Sequence, residues 1–137
     1  QRQMCIRDSV ETRQIMCPRV DVFALESTKK LLDVINDLIA KGFSRVPVYE
    51  ENLDKIIGVL YVKDLLPHLE NDNFNWTSLL RKPLYIPENK KLDDLLTEFK
   101  TKKIHMGIVV DEYGGTSGII TLEDVIEEIF GEISGVR

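Results

Sequence analysis

The sequence predicts an α+β (α/β) protein made of two copies of one small unit, each a small sheet packed with helices, the copies related by a pseudo-two-fold axis. Three observations predict it. The stretches GVLYVKDLL, from Gly58 to Leu66, and GIITLEDVI, from Gly118 to Ile126, share one layout sixty residues apart. Sliding the chain by that amount aligns Lys30 to Leu66 with Lys90 to Ile126 without a gap. Lys30/Lys90, Leu32/Leu92, Asp33/Asp93, Gly58/Gly118 and Asp64/Asp124 are then identical. Finally, both copies run through helix, strand, strand and helix in the same order, and a period this long means two copies of a small unit rather than a solenoid.

The elements follow in order. KKLLDVINDLIAKG places Leu31, Leu32, Ile35, Leu38 and Ile39 on one helical face, and Gly42 is its expected stop. RVPVYE and KIIGVLYV are β-rich runs. KDLLPHL opens a helix that Pro67 limits. In the second copy KLDDLLTEFKTKK is the helix, and IHMGIVVD and TSGIIT are the strands. DEYGG between them is a turn rich in residues that tolerate positive φ. The last helix carries Leu122, Val125, Ile126, Ile129, Phe130 and Ile133 at helical spacing. A two-stranded unit cannot bury both faces of its sheet alone, so two such units are expected in one chain. The expected organisation is a tail over residues 1–9, a first repeat over 10–70, a packed connection over 71–86 and a second repeat over 87–137. Trp76, Leu79 and Leu80 are expected to pin the connection down. MCPRVD, ahead of the first helix, is expected to be an extended strand crossing onto the other unit.

Composition narrows the function classes. The net charge is −5 and no basic patch stands out, which argues against a nucleic-acid partner. The longest apolar run, Ile56 to Val62, falls far short of the ~20 residues that cross a bilayer, so the chain is expected to be soluble as given. Cys5 and Cys17 sit in no metal or redox spacing; they could form one disulfide, and the favoured reading is two reduced thiols. His68 and His105 are isolated, and no Ser-His-Asp, Cys-His or paired-carboxylate pattern suggests an enzyme. The acidic run Glu123, Asp124, Glu127, Glu128 and Glu132 has the spacing of a solvated helix face.

The stretches IMCPRVDVFAL, FSRVPVYE, IIGVLYVKDLL and VVDEYGGTSGIITLEDVIEEIFGEI together resemble a tandem pair of CBS domains, a Bateman module, of the CorC/HlyC group of membrane proteins. That group is related to the CNNM magnesium transporters and to a gliding-motility protein, GldE. The resemblance covers about Val10 to Ile133. It implies a cytosolic regulatory module, on the cytoplasmic side of the membrane, cut from a protein whose membrane domain precedes it. It also implies a homodimer, an adenine nucleotide as ligand, ATP with Mg²⁺ foremost, and regulation of a divalent-cation (Mg²⁺/Co²⁺) transporter or efflux protein. The alternative is a pair that only dimerises, with no ligand.

Candidate site residues divide into three segments. Thr121 at the end of a strand, with Asp124 three residues on, is a T-x-x-D capping box at the start of the last helix. The resemblance implies that Asp124 also grips the ribose hydroxyls, that Thr121 bonds ribose or phosphate, and that the helix N-terminus faces the phosphates. In FSRVP, Ser44 offers a hydroxyl and Arg45 a fork of donors for a phosphate, or else a surface ion pair. Phe43, Val46 and Pro47 belong to the same stretch, which the resemblance implies lines the same cleft, with Val46 and Pro47 shaping an apolar slot for adenine. Cys17 stands where relatives place a small polar residue after the Met, and a thiol there weakens any bond to the base. Tyr61 stands where the second copy has Thr121. One competent nucleotide site is therefore expected, built around the second copy, beside one degenerate cleft.

Overall fold

The computed structural model describes residues 10–71 and 73–134, with side chains up to residue 131 in the last helix. The tail expected over residues 1–9, Cys5 and the side chain of Ile133 lie outside the described residues. The first elements are α1 (Thr12–Ile15), β1 (Cys17–Pro18), β2 (Leu25–Glu26), α2 (Leu31–Lys41), β3 (Arg45–Glu50), β4 (Asn52–Tyr61) and α3 (Val62–Leu65). They are followed by β5 (Leu84–Pro87), α4 (Leu92–Lys102), β6 (Met106–Val110), β7 (Thr116–Thr121) and α5 (Leu122–Ser134). The chain divides into two compact units. One is Phe23–Pro83; the other joins residues 10–22 to residues 84–134.

In the Phe23–Pro83 unit the sheet has the order β2-β3-β4, with β2 parallel to β3 and β3 antiparallel to β4. Its core is Leu25, Leu31, Val34, Leu38, Val46, Val48, Leu60, Leu65 and Trp76. Trp76 is buried, and its indole N–H donates to the Lys29 carbonyl at 2.7 Å. Leu79 and Leu80 pack against the same cluster, so the connection is anchored as its apolar residues predict. A 3-10 turn over Leu66–His68 follows α3 and carries Pro67 at its start, where a missing N–H costs least.

In the other unit the sheet order is β1-β7-β6-β5. β6 is antiparallel to β7 and parallel to β5. β1 lies antiparallel on the free edge of β7, so Cys17 and Pro18 of MCPRVD join the second copy as extended strand, while Arg19–Asp21 turns into a 3-10 helix instead of continuing it. The core is Leu84, Ile86, Leu92, Leu95, Phe99, Val109, Ile120, Val125 and Ile129.

Three sequence expectations need correction. The gapless register of sixty holds only for the second strand and the helix after it. α2 and α4 start at Leu31 and Leu92, and Arg45 and Met106 are the residues that pair with Tyr61 and Thr121, so the first helix and strand match at sixty-one and the gap falls in the hairpin. The repeat reads strand, helix, strand, strand, helix, because β2 and β5 precede the helices and pair in parallel with the next strand across them. At two and four residues they are too short to show a period. The buried face of α2 is Leu31, Val34 and Leu38, whereas Leu32 and Ile39 are exposed. An apolar run wider than one face cannot say which of its edges turns inward. α5 divides the same way, with Val125 and Ile129 in the core and Ile126 and Phe130 exposed. Gly42 does cap α2 in the left-handed region at φ 75°, its amide donating to the Leu38 carbonyl at 2.8 Å.

Candidate functional site

β7 ends at Thr121 and α5 begins at the next residue, so strand and helix meet without a loop. The four leading amides of a helix lack partners within it. Here the Leu122 amide donates to the His105 carbonyl at 2.8 Å. The Asp124 amide donates to Thr121 Oγ1, and the Thr121 amide donates to Asp124 Oδ2, both at 3.2 Å. This is a reciprocal capping box, as T-x-x-D predicts. It uses one carboxylate oxygen of Asp124 and leaves Oδ1 outside the cap. Both side chains are half-buried.

Cys17 shares this unit. It pairs with Ile119 on the edge of β7, two residues from Thr121. The approach is close enough that a Cβ on Gly118 would lie 2.1 Å from the Cys17 carbonyl oxygen. The thiol is held above its ordinary pKa, first by burial and then by the charges of Asp21 and Asp124. Cys17 is therefore protonated and a poor nucleophile. The structure thus gathers Cys17, Thr121 and Asp124 at one sheet edge and helix start.

The FSRVP stretch stands in the Phe23–Pro83 unit. Phe43 is half exposed and stacks on Phe23 with ring centroids 5.8 Å apart. Ser44 is exposed, and its carbonyl accepts the Val62 amide at 2.9 Å, the counterpart of the His105–Leu122 bond. Arg45 opens β3 opposite Tyr61, with its guanidinium 5.8 Å from the Tyr61 ring centroid. Alternation along β3 puts Arg45 and Pro47 on one face and Val46 and Val48 on the other. Val46 is fully buried in the core of its unit, so it anchors the strand on which Arg45 and Pro47 stand.

The first copy's counterpart of the cap is built differently. α3 starts after Tyr61, whose side chain makes no cap bond. Asp64 faces Arg81 instead: Nε donates to Oδ2 and Nη2 to Oδ1, each at 3.0 Å. Arg81 also lies over the Tyr61 ring, 4.1 Å from its centroid. The guanidinium holds the Asp64 carboxyl below the usual carboxylate range. Sequence reasoning missed Arg81. It lies in the connection, which the gapless repeat does not cover, so no matching position marked it.

Two α+β units of the same element order, the second with a reciprocal T-x-x-D cap beside an edge strand, define a tandem-repeat module. The CBS-domain profile matches residues 13–71 and 77–131, and the chain belongs to the CBS domain family, of which it carries a tandem pair. It is 46% identical over 125 residues to Hemolysin C of Brachyspira hyodysenteriae, covering 91% of this chain and 46% of that protein. It is 42% identical over 123 residues to the magnesium and cobalt efflux protein CorC of Escherichia coli K12, covering 88% of this chain and 42% of that protein. The chain thus spans less than half the length of these curated relatives. Among solved structures it resembles the CBS domain of a bacterial CNNM/CorC family Mg²⁺ transporter in complex with ATP. The TM-score is 0.89 at 44% identity, over 95% of this chain and 94% of that one. Among the described residues no helix is long and apolar enough to cross a membrane.

Proposed function

We propose that this chain is the regulatory module of a divalent-cation transporter or efflux protein, that it works without catalysis, and that its ligand is an adenine nucleotide, ATP carried with Mg²⁺ foremost. One observation carries the reading: the Thr121–Asp124 cap leaves a carboxylate oxygen beside the β7 edge, in a chain 44% identical to a CBS domain seen with ATP. In this reading Asp124 accepts from the ribose hydroxyls, and Thr121 serves both the cap and the ligand. Mg²⁺ arrives on the phosphates, since that ion keeps most of its waters and needs few protein ligands. The resemblance implies that Arg45 meets a phosphate, that Ser44 offers a hydroxyl beside it and that Pro47 faces the adenine. Val46, expected to share that slot, points into the core of its own unit instead and is left out of it. Arg45→Ala tests the phosphate assignment through the affinity difference between ATP and AMP.

The resemblance implies a place on the cytoplasmic side of the membrane, next to a membrane domain of the full-length protein. The exposed Ile126 and Phe130 on α5 support the homodimer that the resemblance implies. Calorimetric titration with ATP, ADP and AMP, each with and without Mg²⁺, tests the central reading, and light scattering on the same samples tests the dimer. Saturable binding of at least one nucleotide is expected. A dimer that binds none of them means the pair only dimerises.

A further inference from the structure

We propose that Arg81 limits this chain to one nucleotide, by filling with its own guanidinium the first copy's counterpart of the Cys17–Thr121–Asp124 site; the inference rests on the nucleotide reading above. The placement of backbones carries it. On the outer edge of β7, Cys17 stands opposite Ile119. On the outer edge of β4, Arg81 stands opposite Val59, with amide-to-carbonyl bonds of 2.9 Å in both directions. Val59 and Ile119 are sixty residues apart, so they hold the same place in the repeat. Arg81 is therefore the first copy's equivalent of Cys17. The shared glycine marks the same event twice. A Cβ on Gly118 would meet the Cys17 carbonyl oxygen at 2.1 Å, and one on Gly58 would meet Leu80 Cβ at 2.8 Å and the Arg81 carbonyl oxygen at 3.1 Å. In each copy the glycine lets an extended segment lie against the strand.

The two edge side chains differ. Cys17 is short. Arg81 reaches across Tyr61 and puts one donor on each oxygen of Asp64. A ribose diol would need those same oxygens. The fork is the bidentate geometry a carboxylate binds best, and the ring face beneath it adds attraction for the cation. Pairing of the Arg81 backbone to Val59 fixes where the side chain starts, within reach of Asp64. Asp64, identical in type to Asp124, is thereby withdrawn from any ligand. Tyr61 in place of Thr121 is only half the reason the first copy is closed; the other half comes from the connection.

The test is a titration of nucleotide stoichiometry. The parent chain should take one equivalent. Arg81→Met with Tyr61→Thr should take a second. With Asp124→Asn added to silence the second copy, the same pair should restore at least tenfold of the lost affinity. Arg81→Met alone, which keeps the stem over the ring, controls for folding, and each variant's melt without nucleotide shows that it is folded. A folded Arg81→Met/Tyr61→Thr chain that still takes one equivalent, and none after Asp124→Asn, overturns the proposal. A parent that binds no nucleotide overturns the reading beneath it and the proposal with it.

Discussion

Thr121 and Asp124 satisfy each other's backbone amides through two side-chain bonds of 3.2 Å. Sixty residues earlier, Tyr61 and Asp64 make no such exchange, and Asp64 turns to Arg81. One repeated sentence thus gives two structures, because a phenol cannot reach the amide three residues on. Thr121→Val should lower stability by about 1 kcal/mol through the lost cap. Tyr61→Thr alone should gain less, since Asp64 is already engaged. Thermal melts of the two variants check this.

Acid should weaken the Phe23–Pro83 unit at Asp64. The Arg81 bonds depress its pKa in the folded state. A depressed carboxylate contributes stability that is fully present above its unfolded pKa, about 4, and is lost as pH falls through the lower folded value. The pair is partly exposed, with side chains 24% and 47% accessible, so its worth is about 1 kcal/mol at neutral pH. Arg81→Met should therefore melt lower than the parent at pH 7 and converge with it in strong acid. A difference independent of pH would show that packing, and not the ion pair, is what Arg81 contributes.

Lys103 caps α4 in the left-handed region at φ 56°, where Gly42 caps α2 at φ 75°. A side chain there costs roughly 1 kcal/mol, and glycine does not suffer it. Lys103→Gly should raise the melting temperature, by an amount worth about 0.5–1 kcal/mol. Gly42→Ala should lower it, although nothing lies within 4 Å of its added Cβ, because the strain is in the backbone and not in the space.

Gly118→Ala should be far more damaging than Gly107→Ala. At Gly118 the new methyl meets the Cys17 backbone oxygen at 2.1 Å, and β1 must leave the edge of β7. At Gly107 it meets the end of the Ile86 side chain at 2.1 Å, which can turn. The expected losses are about 3 kcal/mol or more and about 1–2 kcal/mol, read from denaturant midpoints.

Much of this was legible in the residues. The sixty-residue slide located both copies, but its register was one residue off in the first helix and strand, where Lys30/Lys90, Leu32/Leu92 and Asp33/Asp93 matched by chance of composition while Leu31 and Leu92 hold the same place. The longer strands and helices appeared near where the residues place them, and T-x-x-D predicted the reciprocal cap. Gly42 announced the end of α2. The strands Leu25–Glu26 and Leu84–Pro87 were not legible, since their pairing is set by the neighbouring strand and not by any local pattern. The inner face of α2 was misjudged because Leu32 and Ile39 are as apolar as the residues that are buried. Arg81 was invisible for a different reason. Its role depends on a strand edge and on Asp64, seventeen residues away, and the connection that carries it has no second copy to compare.

The central claim is that the second copy alone holds the nucleotide, through Asp124, and its most direct test is calorimetric titration of ATP into Asp124→Ala and Asp64→Ala, with the melt of each variant measured without ligand. A carboxylate accepting ribose hydroxyls is worth roughly 1.5–3 kcal/mol per charge-assisted bond, so Asp124→Ala should weaken binding at least about tenfold. Asp64→Ala should leave affinity within about twofold of the parent while lowering the melt slightly through the lost Arg81 pair. Equal loss of affinity in two folded variants, or full affinity retained by Asp124→Ala, would contradict the account.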